Sequence, residues 1–411
     1  MSETYDEICR IEAHSRDVLG KIREASFAPQ DQKRLMVLFP MREVERMVGR
    51  SSDAIRLAEK EGKVPPPAAM RDGRRIGYSL EEVNRLRTHF DTLPHRKDDE
   101  EPLILPIQNV KGGVGKSTLT VHLAHYFALL GYRVLVVDAD PQATTTSFSG
   151  LNPDSDVSRD ETLYPYLTGA EVSLESVIRK TYFPQVDLIP AQLGLNDAEA
   201  DLAAQMQSNP AEVLDDLREG IMEVAPNYDV VLLDPAPALG TIPLQVMRAA
   251  NALLCPIRPS TTDFSASANF FTMLREAVGR LEAVGCVPVY NWIRVVANDV
   301  QTSKKTHMGV RRKERDKEGR VLRETREEGM VDLMRQIYGS VMLQTVVRDS
   351  AEIDNAAAGF ASIFEATEAA TSKEVRRRAL SNIRNFCREV ETLMRLQWPS
   401  HQESLQAQGL V

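Results

Sequence analysis

The sequence predicts an α/β protein: a mostly parallel sheet with helices on both faces, built around a phosphate loop and preceded by a small helical unit and an N-terminal helix. Three observations carry this. From Leu103 onward, short apolar runs alternate with helical patterns, as expected of strands covered on both faces. Lys111-Gly112-Gly113-Val114-Gly115-Lys116-Ser117-Thr118 lies between one such run and a helical pattern, the strand, loop and helix context that phosphate binding requires. Residues 91 to 101 are polar, charged and almost free of apolar side chains, which marks a linker.

In chain order, Ile8, Ile11, Val18, Leu19 and Ile22 recur at helical steps between charges, giving one narrow apolar stripe. Such a stripe suits either a partner helix or packing on the neighbouring unit. Met41 to Val48 and Asp53 to Glu61 read as two short helices joined by a tight turn, Gly49-Arg50-Ser51-Ser52, with an N-cap candidate in it. Arg71 to Tyr78 reads as a basic hairpin, and Ser79-Leu80-Glu81-Glu82 as a capping box opening a further helix. This array resembles the winged helix-turn-helix of the MerR type. The resemblance implies DNA contacts from Ser51, Ser52, Arg56, Arg74 and Arg75; a small helical domain with a solvated basic hairpin is the alternative.

Strands are expected at Leu103 to Gln108, Arg133 to Asp138, Val186 to Pro190, Val230 to Asp234, Leu253 to Ile257 and Ile293 to Asn298. Helices are expected at Lys116 to Leu130, Ala211 to Val224, Leu244 to Ala250 and Ser265 to Val284. Ligands of such sheets gather at the carboxyl ends of the strands. The loop at 111 to 118 falls there, and its glycines let backbone N–H groups approach an anion at a helix N-terminus. Lys116 reaches the outer phosphates and the Ser117 hydroxyl sits on Mg²⁺. Asp138 and Asp140 end one strand and Asp234 another, acids placed for a metal that keeps most of its waters.

The strict GxxxxGK[ST] pattern is absent. The variant K-G-G-V-G-K-S-T, with Asp138-Ala139-Asp140-Pro141-Gln142 and the Walker B strand ending at Asp234, resembles the deviant Walker A family that includes ParA, MinD and the nitrogenase iron protein. By that resemblance Gly112 to Thr118 bind ATP, and Lys111 reaches the phosphates of a second subunit in a nucleotide-sandwich dimer. Asp140 orients the attacking water, while Ser117, Asp138 and Asp234 serve Mg²⁺, and Asn298 lies near the adenine. Ala236 departs from the family's DxPP. Segments 161–164, 179–184 and 186–191 look like plasmid-type ParA proteins, especially the partition ATPases of repABC replicons, which also carry an N-terminal helix-turn-helix.

The resemblance divides the chain into an N-terminal helix at 1–30 that is a candidate for dimerisation, a winged helix-turn-helix at 31–92, a linker at 93–102 and a ParA-type ATPase domain at 103–411. It implies a weak ATPase that dimerises on ATP, binds DNA non-specifically, is stimulated by a ParB-type partner, and represses its own operon. An ATP-responsive repressor without a segregation role is the alternative. Lys304, Lys305, Arg311 and Arg312 crowd a mixed-charge run, and Arg376 and Arg377 a second one; each is either a solvated face or a phosphate-contact segment. The helix near Val375 to Leu396 reads as polar, and the tail lacks a basic amphipathic membrane anchor.

Composition narrows the classes. A net charge of -9 excludes a uniformly basic surface, so nucleic acid must meet local patches. Cys9, Cys255, Cys286 and Cys387 lie far apart without metal-ligand spacing, which argues for a reducing compartment and against a zinc site. With no signal segment and no apolar run of about 18 residues, the expected location is the cytoplasm, on the nucleoid when ATP is bound.

Overall fold

The structure, a computed structural model, describes residues 3–26, 35–71, 74–238, 240–301 and 326–409. Helix α1 (Glu3–Ser26) leads; its stripe residues Ile8, Ile11 and Val18 are exposed, and the side chains of Leu19 and Ile22 lie outside those described. Next come α2 (Met41–Val48), ended by Gly49 in the left-handed region, and α3 (Ser52–Lys60), whose N-cap Ser51 accepts from the Ala54 N–H. The two-stranded ribbon β1 (Met70–Arg71) and β2 (Arg74–Arg75) follows, then α4 (Leu80–Phe90), opened by the expected Ser79–Glu82 capping box. A reciprocal backbone pair between Phe39 and Tyr78 closes this unit around Val44, Val48, Ile55, Val83 and Leu86.

Strand β3 (Leu103–Pro106) and helix α5 (Lys116–Leu130) flank the phosphate loop. The chain continues through β4 (Val134–Ala139), α6 (Thr144–Phe148), α7 (Tyr164–Leu167), β5 (Arg179–Lys180), β6 (Val186–Ile189), α8 (Leu195–Gln205), α9 (Pro210–Val224) and β7 (Val230–Pro235). Then come α10 (Thr241–Ala249), β8 (Ala252–Ile257), α11 (Thr261–Ala283), β9 (Trp292–Ala297), α12 (Arg326–Tyr338), α13 (Ala351–Ala358), α14 (Lys373–Arg395) and α15 (Gln402–Ala407). The main sheet has the order β3-β7-β4-β6-β5, parallel except for β5. A parallel bridge from Ile107 to Leu254 joins it to the parallel pair β8-β9.

Alternation along the strands explains the two covered faces. Leu103, Leu105, Val134, Val136, Val230 and Leu232 pack in the core that also holds Leu119, Leu123 and Phe127 of α5. Ile104, Leu135, Val137, Val231 and Leu233 pack in the core that holds side chains of α8, α9 and α10. The six expected strands all form, with ends shifted by one or two residues. Helices α6, α7, α8, α12, α13 and α15 were not among those expected, and two further features differ from expectation. The two-residue edge strand β5 is too short to leave a pattern. Helix α14, read from sequence as polar, is amphipathic: Ala379, Ile383, Phe386, Cys387, Val390 and Met394 are buried, and the helix lies against α5. Exposed charges such as Glu374, Arg377, Arg378, Arg384 and Arg388 occupy the outer face and mask that stripe in a composition-based reading.

Candidate functional site

The phosphate loop is shaped by its neighbours as much as by its glycines. Asn109 anchors the entry: its amide donates to the Pro256 carbonyl at 2.8 Å and its side-chain oxygen accepts from the Lys111 N–H at 3.0 Å. Gly115 has φ 87, a region that costs an L side chain about 1–2 kcal/mol. Its Cα faces Asn298, so closely that a Cβ would lie 2.3 Å from the Asn298 amide nitrogen. That amide donates to the Val114 carbonyl at 2.7 Å. Asn298 therefore lies beside the loop, with its amide N–H engaged by the loop itself. Counting back from Gly115, the first glycine of the strict pattern falls on Val110, so Lys111 is an added cation inside the loop.

Three acids meet the loop. Asp138 and Asp234 are register partners on β4 and β7, and both are fully buried. Asp138 accepts from the Asp140 N–H at 3.2 Å and from the Thr146 N–H and hydroxyl at 2.8 and 2.7 Å. Burial, then the neighbouring Asp234 charge, pushes its carboxyl well above the usual range. Asp234 accepts from the Thr145 hydroxyl at 2.7 Å, and its Oδ1 is buried with no hydrogen-bond partner. Burial raises its pKa too, against the pull of Ser117, Thr145 and Lys116. Asp140, also buried, accepts from the Gln142 N–H at 2.9 Å. Lys116 is buried; burial lowers its pKa, and the charges of Asp234 and Asp140 hold it up.

Two adjacent buried carboxyls favour either a proton or a cation between them. The orphaned Asp234 oxygen, on an acid that Ser117 and Lys116 hold toward its charged form, fits a hydrated divalent cation. No cluster of three or more His, Cys, Asp or Glu able to hold a metal exists among the described residues. Mg²⁺ takes few direct carboxylates and relies on phosphates and water.

Lys111 extends from the loop to Asp263 in the first turn of α11 and forms an ion pair with it. Burial raises the Asp263 pKa, but hydrogen bonds from Lys111 and Ser260 bring it below the usual carboxylate range. A cavity of about 400 Å³ opens beside Gly115 and Thr118, lined also by Arg258, Asn298, Ile353 and Asp354. Apart from Asn298, its walls from Arg258, which follows β8, and from α13 were invisible to sequence reasoning, because they come from stretches with no motif.

The basic candidates divide. Ser51 caps α3, and the Ser52 N–H donates to Glu45 at 2.6 Å. Arg56 and Arg74 are exposed. Arg75 is not a free cation: it pairs at 2.6 Å with the buried Glu59 and donates to the Tyr78 hydroxyl at 3.2 Å. Arg376 is likewise engaged, by the Ala366 carbonyl, whereas Arg377 is exposed. Arg377 lines a groove of about 990 Å³ with Lys373, Arg384 and Arg388, two of which, Arg384 and Arg388, the sequence did not single out. Lys304, Lys305, Arg311 and Arg312 lie outside the described residues.

A phosphate loop between a parallel strand and a helix, faced by acids from two neighbouring strand ends, defines a P-loop nucleotide-binding protein. A family model described as an AAA domain matches residues 103–281. Protein SopA of Escherichia coli (strain K12) is 31% identical over 364 residues, covering 87% of this chain and 88% of SopA. A putative replication protein A of Rhizobium rhizogenes is 28% identical over 385 residues, 90% of each chain. A solved structure titled Partition Protein shares the fold with a TM-score of 0.65, covering 96% of this chain and 98% of its own at 20% identity. The chain belongs to the family of ParA-type partition ATPases.

Proposed function

We propose that this ATPase uses ATP and Mg²⁺ to switch between a form that leaves DNA and a dimer that coats it, and so partitions a replicon. The observation that supports this best is the added Lys111 in a loop faced by Asp138, Asp140 and Asp234. Lys116 neutralises phosphate charge, Ser117 and Asp234 would hold Mg²⁺, and Asp140 orients water. Mg²⁺, when bound, offsets negative charge on the phosphates. Asp138, engaged by three donors, positions Asp140 and α6 and serves the metal only from behind. To reach a second subunit's phosphates Lys111 must leave Asp263, a partly exposed pair of the kind worth about 1 kcal/mol or less.

The exposed stripe of α1 pairs with a second copy. The N-terminal unit reads an operator through Ser51, Ser52, Arg56 and Arg74 and represses the operon. Arg377, with Lys373, Arg384 and Arg388, meets DNA phosphates non-specifically, and a ParB-type partner stimulates hydrolysis. The protein works in the cytoplasm, on the nucleoid when ATP is bound; among the described residues no helix is long and apolar enough to cross a membrane. The test compares binding to random-sequence DNA at fixed salt with ATP, ADP and a non-hydrolysable analogue. Binding with ATP and the analogue alone supports the proposal. Tight binding to one operator with no coating of random DNA would instead favour a repressor.

A further inference from the structure

Of the described lysines and arginines Arg87 is the least exposed, at 2%. It sits on α4, in the N-terminal unit, and among the described residues no carboxylate pairs with it. Its Nε donates to the Met47 carbonyl at 3.1 Å, one Nη to Asn84 Oδ1 at 2.8 Å, and the other Nη to the Leu129 carbonyl at 2.8 Å. Met47 lies in the last turn of α2 and Leu129 in the last turn of α5. Carbonyls there lack intrahelical partners and carry the negative end of the helix dipole. One cation thus closes a helix end in each unit, and the second of those helices is the one whose other end forms the phosphate loop. Burial lowers its pKa to about 10, which leaves it charged at neutral pH.

The connector is held just as firmly. Leu93 and Pro94 lie so near Gly131, the residue that follows α5, that a Cβ there would be 3.2 and 3.3 Å from them. His95 Nδ1 lies 2.8 Å from the Asp229 carboxylate, and the Arg96 guanidinium donates to the Tyr228 and Ala225 carbonyls at 3.1 and 2.7 Å. The Glu100 carboxylate accepts from the Ser400 N–H and hydroxyl, both at 2.7 Å, and the Trp398 indole donates to the Glu101 carbonyl at 2.9 Å. A charged segment that looks like a hinge is bonded to the sheet and to the C-terminal segment along its length.

We propose that Arg87 is a positioning residue that locks the N-terminal unit onto the far end of the phosphate-loop helix, so that α3 moves as one body with the ATPase unit. This rests on the reading that the N-terminal unit binds operator DNA. Its consequence concerns the operator: in a dimer, the separation of the two α3 helices is set by how the two chains meet, and a single half-site spacing is preferred. Helix-turn-helix dimers match half-sites about 34 Å apart or at multiples of that. Nucleotide then acts on repression through the dimer and not through a swing of the N-terminal unit.

The test uses the full chain with Cys9→Ser and spin labels at Lys60→Cys on α3 and Gln207→Cys after α8. Pulsed dipolar spectroscopy on preparations diluted with unlabelled protein should give one narrow distance within a chain, unchanged by ADP or a non-hydrolysable ATP analogue. Arg87→Ala and Arg87→Lys should lose that narrow peak while retaining fluorescent-ATP binding; lysine keeps the charge but cannot span three acceptors. A broad wild-type distribution, a nucleotide-dependent shift, or variants as narrow as wild type would each overturn the proposal. Selection from a random duplex library separates this from the underlying reading. Enrichment of paired half-sites at one spacing, relaxed in Arg87→Lys, supports both, whereas no enrichment by wild type refutes the DNA-reading role and its operator consequence even if the distance is narrow.

Discussion

Gly115 and Asn298 are expected to behave as one device, and a double-mutant cycle measures it. A Cβ at residue 115 would meet only Asn298, at 2.3 Å from the amide nitrogen and 3.6 Å from Cγ. Gly115→Ala therefore carries two costs. The left-handed backbone, φ 87, costs about 1–2 kcal/mol. Displacing Asn298 breaks its 2.7 Å bond to the Val114 carbonyl inside a buried site, about 1–3 kcal/mol more. Asn298→Ala alone costs the second amount. In the double variant the Cβ has room and the bond is lost once, so the two effects should fall short of additivity by about 1–3 kcal/mol. Fluorescent-ATP titration and denaturant unfolding of the four proteins read this out, with every 1.4 kcal/mol appearing as about tenfold in affinity. Additivity within about 0.5 kcal/mol would refute the steric argument.

Asp138 and Asp234 have folded pKa values above those of unfolded carboxylates, that of Asp234 raised to about 6. Their contribution to stability is present below the ordinary carboxylate pKa and is lost as pH rises through the raised value. Nucleotide-free protein should accordingly lose stability between about pH 4 and 6 relative to Asp234→Asn, and Mg²⁺ with ATP should remove the difference; thermal melts with and without ligand check the sign. Arg74→Ala should weaken operator binding and reduce its salt slope by about one with the melting temperature unchanged. Arg75→Ala should lower the melting temperature, since it strips the buried Glu59 of its cation, at a cost of about 1–3 kcal/mol. Arg377→Ala with Arg384→Ala should weaken random-DNA binding uniformly across sequences, by a factor that shrinks with added salt, and leave ATP affinity intact; sequence-dependent loss would contradict a phosphate-contact role.

The ATPase fold was legible because its strands, buried on both faces, are continuous apolar runs and its loop has a recognisable spacing. The acids at the strand ends were legible for the same reason, since Asp138 and Asp234 terminate such runs. Roles that depend on distant partners were not. Arg75 reads as a hairpin cation until Glu59, sixteen positions earlier in the chain, is seen beneath it. Arg258, Ile353 and Asp354 meet beside Gly115 only through folding, and none of them belongs to a spacing pattern. Arg87 looks like one more charge on an amphipathic helix; its three acceptors include two backbone carbonyls that no side-chain pattern records. In α14 the apolar positions do recur at three- and four-residue steps, but dense charges between them hid the stripe.

The central claim is that Lys111 acts between subunits while Lys116 acts within one. Fluorescent-ATP titration beside sedimentation with a non-hydrolysable analogue tests it directly on Lys111→Ala and Lys116→Ala. Lys111→Ala should bind ATP about as wild type does yet stay monomeric with the analogue, whereas Lys116→Ala should lose nucleotide affinity itself. Equal loss of nucleotide affinity in both variants, or normal analogue-driven dimers from Lys111→Ala, would contradict it.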